Sequence, residues 1–287
     1  GFYGVGGERY VVGEGDFLAL GHHKLRFSLI PMVHWPETMV TYDETEGILF
    51  SGDAFGCFGA LNGGVIDANI NTDIYWDEMV RYYSNIVGKY GAPVQKALQK
   101  LQALKINAIC STHGPVWTEE IPRVVRIYDR LSRYEAEEGV VIAYGTMYGN
   151  TAEMAEAIAE ELSKQGIRNI VMHNVSHTNH SYIIADVFKY RGLIVGCPTY
   201  NTQMYPGMEA LLNKLSAREI KGRYMGWFGS FTWASAAVKK ITEFNDKLKF
   251  EPVGNPIEMK HSMKSETYVQ CKELAKAMAD RLKADRK

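Results

Sequence analysis

Eight residues, Tyr144-Gly-Thr-Met-Tyr-Gly-Asn-Thr151, lie between a continuous apolar run and an amphipathic pattern. A loop of hydroxyls, an amide and glycines that joins a strand to a helix exposes the helix's unpaired N–H groups and its positive dipole end. A phosphate monoester fits there without Lys or Arg, and the loop contains neither. It is neither a Walker loop nor GxGxxG. Thr146, Met147, Tyr148, Gly149, Asn150 and Thr151 are the candidates, with the hydroxyls of Thr146 and Thr151 as direct donors. The competing reading is an ordinary tight turn with Thr151 as N-cap. Two more loops mix aromatic and small polar residues: Gly196-Cys-Pro-Thr-Tyr-Asn-Thr202 and Gly229-Ser-Phe-Thr-Trp-Ala-Ser235. An isoalloxazine ring needs flat apolar faces and amide-like partners for its polar edge. Tyr200 and Trp233 offer the faces. Thr199, Asn201, Thr202 and Thr232 offer the edge, and Pro198, Ser230, Phe231 and Ala234 complete the two loops.

A second set lies in the amino-terminal half. His34 stands in Met32-Val-His-Trp-Pro36, Asp53 in Ser51-Gly-Asp-Ala-Phe-Gly56 and His113 in Ser111-Thr-His-Gly-Pro115. Each follows an apolar strand and sits at a turn, where a scaffold presents ligands. A His/Asp/His set suits Zn, Fe or Mn. The competing reading makes the histidines structural. Cys57, Cys110, Cys197 and Cys271 form no CxxC, which excludes a rubredoxin-type iron site and a disulfide framework. Buried free thiols in a reducing cytoplasm are the expectation.

The elements that must position these groups change character near Glu135–Gly139. Beyond it, strands are expected at Val140–Ala143, Asn169–Val175, Gly192–Gly196 and Arg223–Gly229, with a weaker one at Phe250–Ile257. Helices are expected at Ala152–Lys164, Ile183–Tyr190, Gly207–Leu215, Ala236–Leu248 and Ser265–Lys283. Strict alternation predicts a doubly wound parallel sheet, whose ligands bind at the carboxyl ends of its strands. Before the change, strands are expected at Tyr10–Gly15, Leu25–Ile30 and Asn107–Thr112, and a hairpin at Met39–Asp43 with Gly47–Ser51. Helices are expected at Asp77–Gly91, Pro93–Leu104 and Val124–Glu137. This places a domain boundary between residues 137 and 138.

Two domains suit 287 residues. A formal net charge of −1 speaks against nucleic acid and anionic membrane as partners. No apolar run is long enough to span a bilayer. The amino terminus carries no signal-peptide pattern and reads like the middle of a fold. The carboxy-terminal KADRK reads as a solvated helix end.

The loops TMYGNT, GCPTYNT and GSFTWAS resemble the phosphate loop and the two flavin loops of flavodoxins, over residues 138–287. Tyr148 departs from the Ser or Thr usual there. VHWPETM, GDAFG, STHGP and Asp73–Gly91 resemble the metallo-β-lactamase-like domain of flavodiiron proteins, which precedes a flavodoxin domain in that family. The implied fold is α/β: a flavodoxin-like, doubly wound five-stranded parallel sheet (138–287) after a partial metallo-β-lactamase-like αββα domain (1–137).

The resemblance implies FMN and a non-haem di-iron site that reduces O2 to water or NO to N2O. It makes His34 and His113 ligands of different irons and Asp53 their bridging carboxylate. The family's remaining ligands come from an upstream HxExDH motif, which this sequence lacks; His22-His23 is followed by Lys24-Leu-Arg and is no substitute. The amino-terminal part of that domain is therefore expected outside this sequence or on a second polypeptide. The resemblance also implies a cytoplasmic head-to-tail homodimer or tetramer and a rubredoxin-like electron donor. It sets Trp35 between the partner subunit's flavin and the irons; the competing reading packs Trp35 beside Pro36 in the core. Three functions follow: a flavodiiron reductase, an FMN electron-transfer module without a working metal site, or a zinc hydrolase with an appended flavin domain.

Overall fold

A computed structural model describes residue 4 and residues 6–286. The ends of the amino-terminal and KADRK segments, residues 1–3, 5 and 287, lie outside the described residues. The chain divides into two compact units. One holds the residues up to Met79 together with Ala92–Asp129, the other Val80–Gly91 together with Arg130 onward.

The first unit contains strands β1 (Phe17–Leu20), β2 (His23–Leu29), β3 (Met39–Asp43) and β4 (Ile48–Gly52). Helical chain follows, of which Val80–Gly91 belongs to the second unit: α1 (Asp73–Tyr82), a π-helical turn (Tyr83–Val87), a 3-10 turn (Gly88–Tyr90) and α2 (Gly91–Leu101). Then come β5 (Ala108–Ser111), β6 (Val116–Trp117) and α3 (Ile121–Ser132). The sheet order is β1-β2-β3-β4-β5-β6. All its neighbours are antiparallel except β4 and β5, which run parallel, so their carboxyl ends share one edge. A parallel pair requires a crossover, and the long helical stretch between β4 and β5 supplies it.

Three expectations for this half need correction. Tyr10–Gly15 is not a strand. Gly13 and Asp16 close a turn, with the Gly13 N–H donating to the Asp16 carboxylate at 2.7 Å, and Gly15 sits at φ +81°. The first helix starts at Asp73 rather than Asp77, because the Asn71 side chain accepts from Asp73 N at 3.0 Å. The helix expected to reach Glu137 stops at Ser132. Tyr134 turns left-handed (φ +56°), and Glu135 N bonds back to Arg130 O at 3.1 Å. This is a helix-terminating geometry usually built with Gly.

The second unit alternates: β7 (Glu137–Tyr144), α4 (Asn150–Lys164), β8 (Ile170–Asn174), α5 (His180–Lys189), β9 (Tyr190–Tyr200), β10 (Gln203–Met204), α6 (Pro206–Ser216), β11 (Tyr224–Phe231), α7 (Ala237–Leu248), β12 (Glu251–Pro252), β13 (Ile257–Lys260) and α8 (Ser265–Ala284). The sheet order is β12-β11-β9-β7-β8. Its chain-order switch lies between β7 and β9, the place where such sheets bind ligands. Val140–Ala143 is fully buried, as strands covered on both faces must be. On one face, Met154 and Ile158 of α4 and Leu274 and Met278 of α8 pack with Ile142 and Phe228 of the sheet. The strand expected at Phe250–Ile257 is broken. Gly254 (φ +69°) separates β12 from β13, and both pieces pair with β11. Among the described residues, no helix is long and apolar enough to cross a membrane.

Candidate functional site

The loop after β7 meets α4 at Gly149, which takes φ +90° as the N-cap residue. Glycine adopts that conformation at little cost. No side chain caps this helix, so the N–H groups of its first turn stay open. Thr151 is not the cap. It is buried inside the first turn, and its hydroxyl lies 2.8 Å from Ser230 Oγ at the end of β11. Thr146 Oγ accepts from Gly149 N at 3.1 Å and shapes the loop.

Thr146, Met147, Tyr148, Asn150 and Thr151 line a cleft of about 180 Å³ together with Pro198, Thr199, Ser230, Phe231, Thr232, Trp233 and His261. Four segments, at the ends of β7, β9, β11 and β13, thus converge at the carboxyl edge of the sheet. Tyr148 and Trp233 are 87% and 85% exposed, leaving flat aromatic faces open beside an uncapped helix end. A ring with a phosphate tail suits this cleft: the amides take the phosphate and the aromatics the ring.

Several expected residues stand off the cleft wall. Asn201 (φ +46°) and Thr202 (φ +57°) are the two left-handed residues of a tight hairpin joining β9 to β10, with Tyr200 opposite Gln203. The Tyr200 ring packs edge-on to Tyr205 at 6.4 Å. Gly149 and Ala234 are also off the wall. Thr199 is on it, but its hydroxyl accepts from Ala236 N (3.0 Å) and Ala237 N (3.2 Å), capping α7 from a neighbouring strand. His261 was not anticipated. Its only signal in the sequence is its place just after the last strand.

In the first unit, Asp53 follows β4 and His113 follows β5, and the parallel pairing brings both to one edge. His34 arrives on the loop after β2, closed by Ile30 N to Thr38 O (2.8 Å) and by Thr38 Oγ, which accepts from Trp35 N. His34 Nε2 lies 3.0 Å from one oxygen of Asp53, and His113 Nε2 lies 3.5 Å from the other. Thr112 donates to the second oxygen at 2.6 Å. The two imidazoles therefore flank opposite oxygens of one carboxylate. Among the described residues, no group of three or more His, Cys, Asp or Glu is arranged around a single metal-sized point. Trp35 is 48% exposed, so it is not a core residue packed beside Pro36. Its ring lies 6.1 Å from that of His34.

The His113 loop depends on Gly114, which sits at φ +87° with its Cβ position 2.4 Å from the buried Cys57 Sγ. Burial, with Glu78 nearby, pushes the Cys57 thiol up to about 12, so it stays protonated. Gly114→Ala is expected to cost about 2–4 kcal/mol, from the left-handed backbone and overpacking together. A urea midpoint unchanged from wild type would refute this.

Comparison with known proteins also finds two parts. The flavodoxin family model matches residues 142–274, and the model described as ODP family beta lactamase matches residues 2–114. An uncharacterized protein of Methanocaldococcus jannaschii is 32% identical over 271 residues, covering 94% of this chain and 68% of that protein. A nitric oxide reductase of Moorella thermoacetica is 29% identical over 275 residues, covering 95% and 68%. Among solved structures, rubredoxin oxygen:oxidoreductase of Desulfovibrio gigas superposes with a TM-score of 0.94 at 27% identity, covering 99% of this chain and 72% of that one. The flavodiiron protein of Giardia intestinalis gives 0.91 at 26%, covering 96% and 68%. With a flavodoxin domain behind a β-lactamase-like domain, and these relatives along nearly its whole length, the chain belongs to the flavodiiron protein family, whose cofactors are FMN and a non-haem di-iron centre.

Proposed function

We propose that this chain holds FMN in the cleft at the carboxyl edge of the second sheet and serves a flavodiiron reductase that converts O2 to water or NO to N2O. The observation that carries the reading is the uncapped start of α4 facing exposed Tyr148 and Trp233 in one cleft. FMN, when bound, supplies one- and two-electron chemistry. The first-turn amides of α4 and the hydroxyls of Thr146 and Thr151 would hold its phosphate, while Tyr148 and Trp233 would cover its ring and exclude water. The FMN domain in this reading is 138–287 and the metal-domain portion 1–137. His34, Asp53 and His113 would be this chain's contribution to holding iron, with further ligands needed from elsewhere. Trp35 lies toward a flavin of a second copy in a head-to-tail dimer or tetramer. A rubredoxin-like protein is the proposed electron donor; the names of the Moorella and Desulfovibrio relatives support NO and O2 as alternative acceptors.

One observation favours a second reading. His34, Asp53 and His113 are fewer donors than a pair of irons requires, and no larger cluster is formed among the described residues. By themselves these three do not fit a di-iron centre. A chain with only these donors is an FMN electron-transfer module.

Iron and zinc per FMN in the purified protein decide between the readings. About two irons per flavin supports the reductase and none the module, while zinc in place of iron would overturn both. Thr151→Val tests the phosphate loop separately. It is expected to weaken FMN binding by about 1–3 kcal/mol, because a hydrogen bond to a charged group is lost. Undiminished FMN retention in this variant would refute the phosphate-loop assignment.

A further inference from the structure

The cleft has an unusual charge balance for an anionic ligand. Among the twelve residues on its wall, His261 is the one member of the Lys, Arg, His, Asp and Glu set. The amino terminus of α4 contributes about half a positive charge, against close to two negative charges on a phosphate monoester. His261 is also fixed in place. It follows β13, whose Lys260 pairs with Phe231 of β11, and its own N–H donates to Phe231 O at 2.9 Å. Its φ of +69° is left-handed, which non-glycine residues seldom adopt. In that register Met259 lies opposite Ser230, the residue whose hydroxyl meets Thr151 in the first turn of α4, and His261 lies two residues further along the chain. His261 therefore shares the cleft wall with Asn150 and Thr151 of the first turn of α4. The charged residues on its own strand are Glu258, which accepts from the Ser235 hydroxyl, and Lys260; neither lines the cleft.

We infer that His261 binds the phosphate of FMN and makes the cleft select the phosphorylated flavin over riboflavin. The inference rests on the FMN reading of the cleft, and its test keeps the two apart. The full chain, freed of flavin, is titrated with FMN and with riboflavin, following the quenching of flavin fluorescence. Three proteins are compared: wild type, His261→Asn, which tolerates the left-handed backbone but lacks the imidazole, and His261→Arg, which places guanidinium donors there. His261→Asn is expected to weaken FMN about tenfold or more while moving riboflavin by less than about twofold, because only the phosphate loses a charge-assisted partner. His261→Arg is expected to recover most of the FMN affinity. Equal losses for both flavins in His261→Asn, or no loss for either, would overturn the inference and leave the FMN cleft standing. A wild-type protein that binds neither flavin would overturn the cleft assignment and the inference together.

Discussion

Arg223→Ala is expected to destabilise the second unit by about 3–5 kcal/mol, because it removes a buried, fully hydrogen-bonded charge and orphans its partners. Arg223 is 1% exposed. Its guanidinium donates to Val187 O and Phe188 O at 2.7 Å, to Lys221 O at 2.8 Å, to Tyr134 O at 2.9 Å and to Gly222 O at 3.2 Å. These partners are all backbone carbonyls. Two of them belong to the last turn of α5, where carbonyls lack helical partners and a positive charge meets the negative end of the dipole. Burial, with Arg191 nearby, pushes Arg223 down to about 9, which keeps it protonated at neutral pH. Lysine has three donors on a flexible stem, so Arg223→Lys is expected to restore only part of the loss. The damage is expected to reach the cleft, since Arg223 immediately precedes β11, whose far end carries Ser230 and Phe231. Urea unfolding followed by circular dichroism is the measurement. A loss below about 1 kcal/mol would mean that water replaces the guanidinium, contrary to the full cost of burying unpaired carbonyls.

What could be read from the sequence depended on whether the information was local. Val140–Ala143 and Gly192–Gly196 announce themselves because strands buried on both faces read as continuous apolar runs, and Arg223–Gly229 does so past its first residue. The open helix start after Gly149 is legible because strand, glycines and helix start all lie within one short stretch. His34, Asp53 and His113 converge because each follows a strand, and β4 and β5 turn out to be parallel neighbours. The failures all involve distant partners or unusual backbone. Tyr134 ends α3 in a left-handed conformation without the glycine that would signal it. His261 reaches the cleft only because Gly254 breaks the last strand and β13 realigns on β11. Thr199 lines the cleft, but that its hydroxyl also caps a helix thirty-odd residues later is not visible in the sequence. Val80–Gly91 reads as part of the amino-terminal half but belongs to the second unit. Arg223 and Asp67 carry no local signature, because their partners are backbone groups far away in the chain.

Asp67→Ala is expected to cost about 3–5 kcal/mol at pH 7, the sum of several lost hydrogen bonds to one buried carboxylate. Asp67 is 4% exposed. One oxygen accepts from Ala68 N (2.9 Å), Thr118 N (2.9 Å) and Thr118 Oγ1 (2.5 Å); the other accepts from Thr118 N (2.9 Å), Glu119 N (3.0 Å) and Glu120 N (2.9 Å). The carboxylate thus satisfies the free amides just ahead of α3 and lies at the positive end of its dipole. It also clamps the segment that leaves His113: Ile66 bridges Val116, and Val116 N donates to Val65 O at 2.8 Å. Burial acts to raise the Asp67 pKa, but the hydrogen bonds from Thr118, Glu120 and Ala68 outweigh it and hold the carboxyl below the usual range. A depressed folded pKa means the stabilisation is complete above the unfolded value of about 3.9 and drains away as pH falls through the folded one. The comparison that isolates this is wild type against Asp67→Asn, which keeps the shape and loses the charge. At pH 7 the wild type is expected to be more stable by about 1–3 kcal/mol, and the gap is expected to narrow steadily below about pH 4. A gap that stays constant from pH 7 to pH 2.5 would show that shape, and not the ionised carboxylate, holds the loop behind His113.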